Sequence, residues 1–373
     1  MTTSRIDADV AIIGAGPAGI ATALHLGQLG VKNVVLLDRH DFPRDKTCGS
    51  GLSPKGIGVL KALGVWEQVQ SKAYPINGLR LVTPGGREAF VSGGDSAAAV
   101  VCHRRILDHL LLQRAQSLGA QFIPHFHAQE LLKDGERVVG VAAADGRSVR
   151  AKVTVVADGA HSRFTLEERG PKALYQAIMG WWDDVPFTPN HVELVFDKSV
   201  APMYGWLFPE GPTRVNIGII YPDDAHQKKA RELFQAFLDK HYAKRLSAGR
   251  QVGKWQGHPV SYAYEISNLT SQGRIVVGEA GRMTHPATAE GIYQGMKSGM
   301  LAAEAVKDVF TGECDEFDAF ARYESRCRRT FWSSSLASRA WLNAVESPVL
   351  DAVVATAQQP AIKRVFGKLM ARM

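Results

Sequence analysis

Gly14, Gly16 and Gly19 follow the apolar run Val10–Ile13 and precede a helical pattern, and Asp38 closes the next apolar run, Val34–Leu37. This spacing suits a dinucleotide. One glycine makes the tight turn, one lets backbone approach a pyrophosphate, and one lets helix pack closely on strand. The helix N-terminus offers free N–H groups and a favourable dipole to the phosphates, while Asp38 can accept from a ribose hydroxyl. Ala18 and Arg39 fall within the same set. Two more strand ends carry carboxylates: VTVVADGAHSRF ends a strand at Asp158-Gly159, and GRIVVGEAG ends one at Gly278-Glu279. A long helix follows near Glu290, with Ala289, Gly291 and Ile292 at its start. Carboxylates placed there can take the remaining hydroxyls of an extended FAD, and the helix start can face a flavin carbonyl. The three motifs in this order point to FAD.

The elements that position these residues follow from the pattern of apolar runs and breakers. After Asp38 comes a loop rich in Gly, Pro and charge, then a helix near Ser53–Leu63 and a hairpin turning at Pro84-Gly85-Gly86. His103–Leu118 reads as a helix, Ala120–Val156 as short strands, and Ala177–Tyr221 as alternating strands. A helix near Asp224–Lys240, a buried strand at Gly273–Val277 and an almost wholly helical remainder complete the chain. The expected fold class is α/β with an α+β insert: a Rossmann-type βαβ FAD-binding domain interleaved with an antiparallel-sheet substrate domain. The FAD-binding pieces are 1–80, 100–165 and 270–310, the sheet domain is 81–99 and 166–269, and 311–373 is a helical C-terminal region.

With 373 residues, 45% of them apolar, the chain can bury a large core. No apolar run reaches the ~18 residues of a membrane span, and the N-terminal apolar stretch is the first strand rather than a signal peptide. The four cysteines show neither metal spacing nor disulfide density, so a cytoplasmic protein is expected. His125 and His127 alternate on an expected strand, but no third ligand has suitable spacing and no metal is assigned. The net charge of +7 allows an acidic protein or anionic surface as partner, whereas no basic run interleaved with aromatics suggests nucleic acid. Pro360–Met373 has an apolar stripe at helical spacing between Lys363, Arg364, Lys368 and Arg372. It can lie on a membrane surface as a peripheral contact or pack on its own protein.

The chain resembles the geranylgeranyl reductase family, within FAD enzymes shaped like aromatic hydroxylases. KTCGSGLS, Lys46–Ser53, resembles that family's loop beside the flavin, and YGWLFPEGPTRVNIGI, Tyr204–Ile219, resembles its other signature. The resemblance implies that Cys48 and Gly49 lie by the flavin and that Arg104, four residues before Asp108, reaches the cofactor. It also implies that Tyr204, Trp206, Phe208 and Pro209 line a substrate cavity, with Gly218 ending the next strand. The sequence departs from the family at Glu279, Gly281, His285 and Ala289, where the pattern has aspartate, alanine, asparagine and glycine.

On this resemblance the catalytic candidates are Cys48, His285, Tyr204 and Trp206. The Cys48 thiol can protonate the carbon opposite the one that receives hydride, or simply pack. His285 can donate a proton or hydrogen-bond near the cofactor. Tyr204 and Trp206 can form an apolar wall or belong to the core. The implied function is reduction of carbon–carbon double bonds in a prenylated, isoprenoid or other large apolar substrate. A monooxygenase acting on an aromatic or quinone-like compound is the alternative, with a halogenase or a non-catalytic flavin- or lipid-binding protein as minor ones. No second glycine fingerprint is present, so NAD(P)H must dock transiently, or a separate ferredoxin or flavin reductase must supply electrons.

Overall fold

The computed structural model describes residues 5–92, 98–165, 173–223, 230–347 and 349–357. The stripe Pro360–Met373 lies outside the described residues. The first strand, Arg5–Ile13, is buried on both faces along its second half, as a central parallel strand must be. It pairs in parallel with Val34–Leu37 on one side and Ser148–Val156 on the other, and Gln121–Ile123 and Arg274–Val276 extend the sheet outwards. The antiparallel strands Ala128–Asp134 and Arg137–Ala143 attach to the edge of Ser148–Val156. His125 and His127 fall in the link before this pair rather than on a strand, and His125 has a left-handed backbone. An apolar run broken by the turn residues around Pro124 cannot keep strand geometry.

The second sheet has seven strands, in the order 250–262, 173–183, 214–222, 205–209, 191–195, 78–82 and 88–92. All neighbours are antiparallel except His191–Val195 with Gly78–Val82. Strand Gly78–Val82 therefore belongs to this sheet from residue 78, three positions before the boundary expected at 81. Gly218 lies mid-strand rather than at a strand end, since the strand Arg214–Pro222 is paired on both sides through it, and the indole of Trp206 covers it: a methyl there would stand 2.3 Å from that ring.

Helices Pro17–Gln28 and Ile292–Phe310 pack together through backbone. A methyl on Gly299 would come within 2.5 Å of the Ala18 carbonyl oxygen, so only glycine permits this approach. The long helix Glu316–Glu346 is capped by Asp315, which accepts from the Asp318 N–H at 2.9 Å. The C-terminal helices are not an appendage. Trp341, Leu342 and Val345 reach the inserted sheet, and Asp351 accepts from the Thr83 hydroxyl and from the Gly85 N–H in the hairpin turn.

Candidate active site

The glycine fingerprint has the geometry its chemistry requires. Gly14 has φ +104°, and a methyl there would stand 2.5 Å from the Ala157 carbonyl oxygen. Gly19 is tighter still, with a methyl 1.9 Å from the Gly14 carbonyl oxygen. These two glycines serve the fold. Gly16 differs, because nothing lies within 4 Å of a methyl placed on it, and it caps helix Pro17–Gln28 without a side-chain hydrogen bond. An open cradle against uncapped helical N–H groups fits a pyrophosphate.

Asp38 is buried, and its carboxylate organises this turn: Oδ2 accepts from the Ala15 N–H and Oδ1 from the His40 N–H, both at 2.9 Å. A carboxylate has about four acceptor sites, so a ribose hydroxyl can still be taken. Arg39 is exposed beside it. Arg44, which the sequence reading did not assign, donates to the Ala15 carbonyl and lies 3.8 Å from Asp38 and 3.4 Å from Asp108. Its Nε is buried without a hydrogen-bond partner among the described residues, a donor waiting for an anionic group. The donor set, the open glycine and the uncapped helix together fit FAD.

Beyond Arg44 and Asp108, Arg104, Lys46, Cys48 and Glu279 converge. Arg104 is buried and pairs bidentately with Asp108, both contacts at 2.7 Å. Burial alone would weaken its charge, but Asp108 and then the nearby Cys48 more than restore it. Burial and the neighbouring Arg104 pull the Lys46 ammonium down to about 8, against the pull of Glu279 and Cys48. Glu279 is pushed up by burial, while the Ser261 N–H at 3.0 Å and the charges of Lys46 and Arg104 oppose the shift. Its Oε1 thus faces the inserted sheet, and Oε2 stands 4.0 Å from a methyl built on Gly159, next to Asp158. Lys46 had only a place in the loop by sequence. Its role as the cation between these groups comes from the fold.

Cys48 sits at the mouth of this cluster, its sulfur accepting from the Ser50 N–H at 3.3 Å. Gly49 packs so closely that a methyl there would meet Trp206 and Phe208 at 3.3 Å. Tyr204 precedes strand Gly205–Pro209 and Trp206 lies on it, and their rings are 6.4 Å apart. Both join one apolar cluster with Met179, Met203, Ile220, Ala287, Ala289 and Leu342. Trp206 is also anchored: its Nε1–H donates to the buried Asn216 Oδ1 at 2.6 Å. Trp206→Ala is therefore expected to cost about 3–5 kcal/mol from the void, with the Asn216 Oδ1 losing its donor besides. Trp206→Phe should keep most of that packing. Unfolding midpoints check this, and equal stability of the two variants would place the ring outside the core.

The loop from Thr284 to Gly291 closes the other side, just before helix Ile292–Phe310 and its uncapped start at Gly291. His285 organises it. Its Nδ1 accepts from the N–H groups of Ala287 and Thr288 at 3.3 and 3.2 Å, and its backbone N–H donates to the Glu290 carbonyl at 2.9 Å. The Tyr204 hydroxyl donates to the Thr288 carbonyl. Ala289 takes the left-handed conformation, φ +52°, which glycine accepts without strain.

Burial, helped by the charge of Lys55, holds the His285 imidazole down to about 4. It is neutral at pH 7, and with Nδ1 accepting, its proton is on Nε2. His258 is lowered to about 4 as well, by burial and by Lys46. Both folded values lie below the ordinary 6.5, so the stability they contribute is complete above pH 6.5 and is lost as pH falls towards 4. His285→Asn keeps an acceptor for the loop and should flatten this acid limb. Unfolding midpoints at pH 7 and pH 5 measure it, and an undiminished drop in the variant would mean that His285 does not titrate.

Comparison with known proteins points to the same cofactor. The family described as "FAD binding domain" matches residues 7–335. Menaquinone reductase of Mycobacterium tuberculosis is 31% identical over 321 residues, covering 80% of this chain and 76% of that protein. Digeranylgeranylglycerophospholipid reductase 2 of Methanopyrus kandleri is 27% identical over 87% of this chain and 83% of its own length. A geranylgeranyl bacteriochlorophyll reductase-like protein from Thermoplasma acidophilum has the same fold, with TM-score 0.88 and 22% identity over 99% of this chain and 96% of that one. No helix among the described residues is long and apolar enough to cross a membrane. The chain belongs to the FAD binding domain family and is an FAD-dependent oxidoreductase similar to these reductases.

Proposed function

We propose that this protein reduces carbon–carbon double bonds of an isoprenoid or otherwise prenylated substrate. The observation that carries this reading is the placement of the Cys48 loop against an aromatic and aliphatic wall formed by Trp206, Phe208 and their neighbours. Such a wall suits an apolar chain, and the names of the two sequence relatives support the same class. FAD, bound in reduced form, supplies the hydride.

The chain's own residues do the rest. The first helix and Gly16 would hold the pyrophosphate, and Asp38 would take the ribose. The apolar wall excludes water and holds the alkene. Addition of hydride to one alkene carbon leaves an electron pair at the other, and the Cys48 S–H donates the proton that forms the second C–H bond. The resulting thiolate lies beside the Arg104 guanidinium, and Lys46, poised near neutrality, returns a proton from solvent. NAD(P)H docking transiently, or a separate electron-transfer protein, provides the reducing equivalents.

The decisive experiment is anaerobic photoreduction of the holoprotein, followed by mixing with a geranylgeranyl compound in one arm and oxygen in another. Reoxidation by the prenyl compound without oxygen, with a product heavier by two hydrogens per bond, supports the reading. Reoxidation by oxygen alone, with a hydroxylated aromatic product, assigns the monooxygenase instead.

A further inference from the structure

Two guanidiniums claim one carboxylate between the fingerprint turn and the Cys48 loop. Asp108, on helix Arg104–Ser117, has no exposed surface. Its two oxygens accept from Arg104 Nε and Nη2, both at 2.7 Å, and Arg44 Nη1 lies 3.4 Å from its Oδ2. Arg44 donates to the Ala15 carbonyl and so belongs to the phosphate end of the site. Arg104 belongs to the other end. Strand Gly51–Leu52 pairs antiparallel with Ala99–Val101, and the Cys102 N–H donates to the Ser50 carbonyl at 3.0 Å. Following that register two residues further along each chain sets Cys48 opposite Arg104. Lys46 is the other cation beside Cys48, and Glu279 opposes the charge of both Lys46 and Arg104.

We infer that Asp108 is a positioning residue that sets the acidity of Cys48: by holding and neutralising Arg104, it keeps the thiol protonated until a proton is needed. The inference rests on the reading of Cys48 as proton donor above and adds the residue that governs it. A bare guanidinium beside a thiol favours the thiolate, and a thiolate has no proton to give. A bidentate carboxylate cancels most of that charge, and the fork geometry fixes where the guanidinium points. Charges in a buried site are weakly screened, so the presence or absence of one carboxylate is felt strongly at the sulfur. Arg44 draws on the same carboxylate. An anion paired with Arg44 at the phosphate end therefore leaves more of Asp108 to Arg104, which links the two ends of the site through one side chain.

The test reads the thiol directly in the FAD-loaded protein, as the rate at which iodoacetamide alkylates Cys48, followed on its tryptic peptide by mass spectrometry as a function of pH. Cys48 and Cys314 are partly exposed whereas Cys102 and Cys327 are buried, so Cys314 serves as the reference in the same digest. Asp108→Asn keeps the size of the side chain and an acceptor for Arg104 but removes the charge. It is expected to speed alkylation at pH 7 by ~10-fold or more and to move the midpoint of the pH–rate curve to lower pH. Arg104→Gln should move both the opposite way, and Asp108→Glu should return them towards wild type. Opposite directions from the two halves of the pair separate charge from looseness, because a merely structural pair would expose Cys48 and speed its alkylation in both variants. Circular dichroism checks folding. An unchanged rate in Asp108→Asn, or faster alkylation in both variants, overturns the inference, and if Asp108→Asn does not fold, a rate in Arg104→Gln no slower than wild type does so. Reoxidation of reduced Asp108→Asn by a geranylgeranyl compound should be slow at pH 7 and recover as pH falls. A shifted alkylation curve with wild-type reoxidation at every pH upholds Asp108 as the residue that sets the thiol and overturns only the reading of Cys48 as proton donor.

Discussion

Gly16→Val is expected to give a folded, colourless protein. Gly16 has an extended backbone, φ −84° and ψ 179°, which valine adopts readily, and nothing within 4 Å would meet the first atom of a side chain. Its glycine character is therefore not required by the fold. It is required by whatever occupies the space in front of helix Pro17–Gln28, and a branched side chain there would displace a pyrophosphate from the free N–H groups. FAD affinity should fall by ~10³-fold or more, equivalent to about 4 kcal/mol. The 450 nm absorbance per mole of purified protein and the circular dichroism spectrum check both halves. Gly19→Ala is the contrasting control: its methyl would collide with the Gly14 carbonyl, so it should impair folding itself. A correctly folded Gly16→Val protein that retains one FAD per chain would sink the assignment of the cofactor's phosphate site.

Cys48→Ala is expected to slow substrate-dependent reoxidation of the reduced flavin by ~10²-fold or more under anaerobic conditions, while reduction by the electron donor stays nearly unchanged. The reason is proton demand. Hydride addition to an unactivated alkene leaves a carbanion-like centre, and Cys48 offers an S–H in the loop beside the buried cluster, with the Arg104 guanidinium near it. Removing the sulfur leaves Arg104 paired with Asp108, so the local charge arrangement survives and the loss reports on the proton. Cys48→Ser, with a poorer acid in the same place, should fall between the two. Turnover of the substrate at the wild-type rate in Cys48→Ala would make the sulfur a packing group and weaken the case for alkene reduction.

Several parts of this molecule were legible before folding because they are local. The turn at Gly14–Gly19 is largely local, because Gly14 takes a left-handed backbone and Gly19 packs on the Gly14 carbonyl, and Asp38 follows from where the next strand must end. The hairpin turning at Pro84–Gly86 and the helix after His103 likewise need only their own residues. Even the pairing of Tyr204 and Trp206 on one face came from strand periodicity. The links that reading missed are non-local. The hydrogen bond of Thr47 to Gln256 spans 209 positions, and that of Thr83 to Asp351 spans 268. No periodicity or motif reports such contacts, because a polar residue's partner depends on which surfaces the tertiary structure brings together.

His285 shows the division within one residue. Sequence put it where flavin and substrate should meet and left proton donation and simple hydrogen bonding both open. The fold gives its Nδ1 to the loop's own N–H groups and buries the ring, and that burial makes it neutral. By itself, then, the sequence determined a nucleotide-binding βαβ unit, an FAD enzyme and a family, since backbone sterics and strand ends are properties of short segments. Only the tertiary structure decided that Lys46, Arg104 and Glu279 share one buried cluster, that Asp108 faces Arg44 as well as Arg104, and which histidines lose their charge. Those outcomes depend on desolvation and on distances between remote segments, and neither quantity exists until the chain is packed.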